Sequence, residues 1–133
     1  MGNPVIIATT TYSAFRGYAW SHTPPGMSEA GLDTLRRLAS EGRGVRVASF
    51  PCIERFYLET TPEYRCAVMP QEMKRRVIVE AGVRYGLDRF RLDFRTTAYV
   101  TLDHYGASAP YQTLSTKFGF TPDNVYNVAK TLA

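Results

Sequence analysis

The chain has 133 residues, enough for one domain with a substantial buried core. Hydrophobic residues make up 44% and charged residues 21%, an ordinary globular balance that excludes a disordered or low-complexity protein. The net charge of +4 is modest, and no apolar run approaches the roughly 20 residues that a membrane helix needs.

The start, "MGNPVIIATTTYS", has no basic stretch ahead of its apolar run, so no secretory signal is expected. Its "MGN" resembles a myristoylation start, but Ile6 stands where Ser or Thr is required. "PVIIAT", residues 4–9, is a short continuous apolar run of the buried-strand kind. The next segment, "TTYSAFRGYAWSHTPPG", is long for a strand-to-helix connection and carries Phe15, Tyr18 and Trp20 before its Pro-Pro-Gly break. Core or interface packing of an insertion is the expected role of these rings, against a binding surface as the alternative, and His22 in the same segment receives no role. "MSEAGLDTLRRLASEG" has helical spacing, with Leu32, Leu35, Leu38 and Ala39 on one face. Ser28 is its expected N-cap, and Gly42 or Gly44 its stop.

"VRVASF", residues 45–50, alternates as a second strand that Pro51 ends. "CIERFYLETTPEYRCAVMP" reads as two short helical pieces, the second capped by Thr61 with Pro62 in the first helical position. "RRVIVEAG" is a third strand with its turn at Gly82. "RFRLDF" (89–94) and "AYVTL" (98–102) alternate as strands four and five. Two helices close the chain, from Pro110 and from Thr121, separated by Gly119. Phe118 and Phe120 flank that break, so two rings can enter the core beside it. In the "GASAP" loop, Gly106 can take a positive φ and small residues can pack against a helix. Strands interleaved with helices predict an α/β fold with three layers, helices on both faces of a mostly parallel (mixed) five-stranded sheet, formed by residues 1–133 without an interior boundary.

Candidate chemistry is sparse. Cys52 and Cys66 match neither a CxxC pair nor a zinc spacing, and a reduced, cytoplasmic compartment is expected. Cys52 has no neighbouring His and reads as packing. Ser108 lacks the following Gly of a nucleophile elbow, since Pro110 stands there. His104 follows Asp103, a pair that could support acid–base work, but neighbours on a strand point to opposite faces. Residues 74–95 hold seven basic against three acidic side chains. Arg75, Arg76, Arg84 and Arg89 are candidate anion ligands there, against a plain solvated margin. No nucleic-acid signature or phosphate loop accompanies them, so nucleic acid is not an expected partner.

The stretches "VRVASFPCIERF", "TPEYRCAVMP", "RRVIVEAGVRYGLDRF", "LDHYGASAP" and "KFGFTPDNV" follow in an order and spacing that resembles the C-terminal domain of the transketolase family. The resemblance runs from Gly44 to Ala133. It implies structural roles for Pro51, Cys52, Glu80, Gly82, Gly106, Ser108, Pro110, Phe118, Gly119 and Phe120. The chain departs from the family at Thr9–Thr10–Thr11–Tyr12, where a Gly-Ser-Glu turn is usual, through the longer segment to Gly26, and at His104 and Tyr105. In such enzymes, which move a two-carbon ketol unit between sugar phosphates, thiamine diphosphate and a divalent metal (Mg or Ca) lie in the upstream domains. The resemblance therefore implies no catalytic, cofactor or metal residue in this chain, and as partners the upstream domains and a homodimer. The alternative is a stand-alone regulatory or anion- or partner-binding module of the same fold.

Overall fold

The computed structural model describes residues 5–10, 27–50 and 53–132. The segment 11–26, with Phe15, Tyr18, Trp20 and His22, and the pair Pro51 and Cys52 lie outside them. In chain order the elements are β1 (Val5–Thr10), α1 (Met27–Ser40), β2 (Val45–Phe50), α2 (Ile53–Glu59), α3 (Pro62–Val68), β3 (Arg75–Glu80), a 3-10 turn (Leu87–Phe90), β4 (Thr97–Thr101), α4 (Tyr111–Phe118) and α5 (Pro122–Leu132).

The sheet order is β2-β1-β3-β4, and every pairing is parallel. Ile7 stands opposite Val47 on one side and Val77 on the other, and Val79 opposite Val100. Strand β3 is buried on both faces, as its unbroken Val-Ile-Val run suggests. Alternation sends Val77 and Val79 into a core with Leu38, Val100, Phe120, Val125 and Ala129, beneath α1 and α5. Ile78 faces the other way, into a core with Ile6, Phe56, Met69, Leu87 and Phe90. The three-layer α/β expectation holds, with four strands among the described residues.

The fifth expected strand, "RFRLDF", is a correction. Leu87 and Phe90, three apart, share one face of the 3-10 turn and are each about 1% exposed. Leu92 and Phe94, which the alternation would bury beside Phe90, are 45% and 68% exposed. The core takes a spacing of three here, so the period of two was a coincidence of composition.

Helix ends follow local chemistry. Gly42, at φ +75°, closes α1: Gly42 N–H donates to Ala39 and Arg43 N–H to Leu38, as glycine-terminated helices do. Ser28 lies inside the first turn of α1, not ahead of it. Thr61 caps α3 by accepting from Tyr64 N–H at 3.2 Å, with Pro62 at the first position. Thr121 does the same for α5 through Asn124 N–H. Between α4 and α5, Gly119 sits at φ +83°, with Phe120 buried and Phe118 packed half-buried against the same core.

Candidate docking surface at the carboxyl end of the sheet

The loops that leave β3 and β4 are fastened to each other. Leu102 N–H donates to the Gly82 carbonyl at 2.9 Å. Asp103 then bridges the two loops: Oδ1 accepts from Arg84 N–H at 3.1 Å and Oδ2 from the Thr101 hydroxyl at 2.9 Å. The Arg84 N–H, then the Thr101 hydroxyl, hold the Asp103 carboxyl below its ordinary range. The Arg84 guanidinium lies 5.7 Å from the centroid of the Tyr99 ring, and the Tyr99 hydroxyl donates to Asp88 at 2.7 Å. Burial, and then that bond to a carboxylate, push the Tyr99 phenol up to about 12.

An open depression of about 410 Å³ lies over this framework, lined by Val83, Arg84, Tyr85, Asp88 and Asp103. Beside its three charged side chains it carries exposed apolar ones, Tyr85 at 91% and Val83 at 54%, and Tyr105, in the loop after β4, is 99% exposed. Residues 103–110 are all exposed. His104 does not pair with Asp103. Its ring lies edge-on to Phe118 at 4.8 Å and its Nδ1 is 2.8 Å from the Tyr105 carbonyl. Gly106 is not left-handed, and a Cβ built on it would meet nothing within 4 Å. Nothing among the described residues therefore demands a small residue there, contrary to the expected positive φ and close helix contact. Ser108 is exposed in the same loop, and Pro110 precedes α4.

The basic margin divides. Arg75 and Arg76 open β3, Arg84 follows its far end, and Arg89 belongs to the 3-10 turn. A six-residue strand spans about 20 Å, which separates the first pair from Arg84. Arg76 is 3% exposed and its guanidinium donates to the carbonyls of Phe90, Pro70 and Met73. It is a tie between three segments. Arg76 and Arg89 line a second cavity of about 260 Å³ with Tyr57, Arg65 and Cys66. There Arg89 and Arg65 lie 5.6 and 5.8 Å from the Tyr57 ring centroid, an arrangement that linear spacing could not reveal. Arg75 and Arg84 line neither that cavity nor each other's neighbourhood. Glu80, half-buried, is the last residue of β3, and Gly82 follows in the turn. Tyr85, Tyr99 and Tyr105 were missed as site residues, since nothing in the local pattern separates an exposed ring from a core one.

Among the described residues no three His, Cys, Asp or Glu side chains come together as metal ligands. They do not fit a metal–diphosphate centre. No helix among them is long and apolar enough to cross a membrane.

The family profile described as "Transketolase-like TK C-terminal domain" matches residues 28–121. The transketolase of Mycobacterium leprae is 45% identical over 94 residues, which are 70% of this chain and 13% of that protein. A Pichia stipitis transketolase mutant structure in complex with xylulose 5-phosphate superposes with a TM-score of 0.71 at 21% identity, covering 99% of this chain and 16% of that one. A split-gene transketolase, described as an inactive β4 tetramer, gives a TM-score of 0.62 at 16% identity, over 99% of this chain and 40% of that one. This chain thus spans about an eighth of the curated M. leprae protein. It belongs to the transketolase family, as a C-terminal domain.

Proposed function

We propose that the chain, residues 1–133 as one domain, completes a transketolase that moves a two-carbon ketol unit between sugar phosphates, and that it has no turnover alone. The observation that carries this reading is the match of residues 28–121 to the family's C-terminal domain in a chain spanning 13% of its M. leprae relative. Thiamine diphosphate and its divalent metal (Mg or Ca) then belong to the upstream domains. The working enzyme is read as a cytoplasmic homodimer.

The split-gene relative supports the idea that a transketolase can be assembled from separate polypeptides, because its solved chain is only about two and a half times the length of this one. The test is a ketol-transfer assay with xylulose 5-phosphate as donor. The chain alone is expected to give no turnover, and its addition to the upstream polypeptide to raise turnover. Turnover by the chain alone, or no effect on the upstream polypeptide, would overturn the reading.

A further inference from the structure

We infer that the surface around Tyr85 and Tyr105 is where this domain docks on the upstream polypeptide of the transketolase, an inference that rests on the function proposed above. Three observations converge there. Val83 and Tyr85 stand exposed in the loop after β3, lining the depression, and Tyr105 stands exposed in the loop after β4, which is tied to the first by Asp103. Tyrosine is over-represented at interface cores because one ring buries much area at small entropic cost.

The loops beneath are held in place by Asp103, by the Leu102–Gly82 bond and by the His104–Phe118 contact. Surface fixed in advance loses little freedom on binding. From Tyr105 to Thr116 the sequence has no charged residue, and the carboxylates beside Tyr85 already have partners, Asp103 in Arg84 N–H and the Thr101 hydroxyl and Asp88 in the Tyr99 hydroxyl, which lowers the cost of covering them. In the lining two carboxylates, Asp88 and Asp103, stand against one guanidinium, Arg84, which favours a protein surface over a phosphate or nucleic acid as the occupant.

The other exposed large hydrophobic side chains among the described residues, Leu58, Tyr64, Leu92 and Phe94, have charged neighbours in the chain: the Arg55–Glu59 ion pair, Glu63 and Arg65, Arg91, and Arg95 over the Phe94 ring at 5.4 Å. The occupant is the upstream polypeptide because a domain spanning 13% of its relative is otherwise attached to a protein several times larger.

The test is calorimetric titration of the separately produced upstream polypeptide with the 133-residue chain. The variants are Tyr85→Ser with Tyr105→Ser, Ala107→Arg, and the control Leu58→Ser with Phe94→Ser. All substituted positions are exposed, so thermal unfolding should be nearly unchanged and will identify any variant that misfolds. Expected are binding by the wild type, a loss of about tenfold or more for the tyrosine pair and for Ala107→Arg, and no change for the control. Undiminished binding by the first two variants would overturn this surface while leaving the proposed function standing. No binding by the wild type would overturn both. A chain that self-associates through these tyrosines, seen as a sedimentation shift abolished by the pair, would make a second copy the occupant and also overturn the inference.

Discussion

Arg84 N–H donates to Asp103 Oδ1 at 3.1 Å, so a side chain from the loop after β4 fixes the loop after β3. Adjacent parallel strands leave their loops side by side, and here a carboxylate converts that adjacency into a fixed angle. The Thr101 hydroxyl holds the second oxygen, which leaves the carboxylate no reason to turn toward His104.

Replacing Asp103 by Ala should therefore loosen the loop without unfolding the sheet. The Arg84 amide should exchange with solvent about tenfold faster, while amides of β3 keep their protection. The pH dependence has a definite sign. The folded carboxyl sits below its ordinary value, so its stabilisation is present above the unfolded value near 3.8 and fades as pH falls through the lower folded value. Asp103→Ala should flatten that acid limb of a stability–pH curve. An unchanged limb would mean that the bonds to Arg84 and Thr101 are not maintained in solution.

Arg76 gives a larger effect. Its guanidinium is buried and serves three carbonyls from the segments at Pro70, Met73 and Phe90. Arg76→Met keeps most of the stem but orphans those acceptors, and should cost about 3 kcal/mol. The urea midpoint should fall with the slope unchanged. A cost below about 1 kcal/mol would show that water replaces the guanidinium freely.

Much of this architecture was legible from the chain. "VRVASF" and "RRVIVE" became β2 and β3 because continuous or alternating β-branched runs have few other uses. Thr61–Pro62 and Thr121–Pro122 marked helix starts through a hydroxyl and a fixed φ, both local properties. "RFRLDF" misled because period two appears by chance in six residues, and only the facing core decides which of Leu87, Phe90, Leu92 and Phe94 is wanted. The basic residues misled for the same reason. Sequence placed Arg75, Arg76, Arg84 and Arg89 in one run, while the fold buried Arg76 and sent Arg84 to the opposite end of β3. The exposed rings of Tyr85 and Tyr105 could be found only once the sheet showed what lay outside it.

Two glycines make a paired comparison. Gly42 and Gly119 both end helices with positive φ, but a Cβ on Gly42 meets nothing, whereas one on Gly119 would lie 2.8 Å from Asn124 Nδ2. That same nitrogen donates to the Gly119 carbonyl at 2.8 Å. Gly42→Ala should cost about 1 kcal/mol of backbone strain. Gly119→Ala should cost about 1 kcal/mol more, since Asn124 must also leave its bond. Equal costs in denaturant titrations would show that Asn124 moves without penalty.

The last prediction concerns alkaline pH. Tyr99 donates its hydroxyl to Asp88 Oδ1 from a partly buried position, and both circumstances disfavour the phenolate. Its folded value lies at about 12, against about 10 when unfolded. The sign is opposite to that of Asp103: the contribution is complete below pH 10 and disappears as pH rises through about 12. In a spectroscopic titration one tyrosine should ionise late, and Tyr99→Phe should remove that late step. Asp88→Asn should bring it earlier without abolishing it, because burial is the larger cause and remains. A Tyr99 that ionises near pH 10 in the wild type would show that the hydroxyl faces water and that its bond to Asp88 is not maintained in solution.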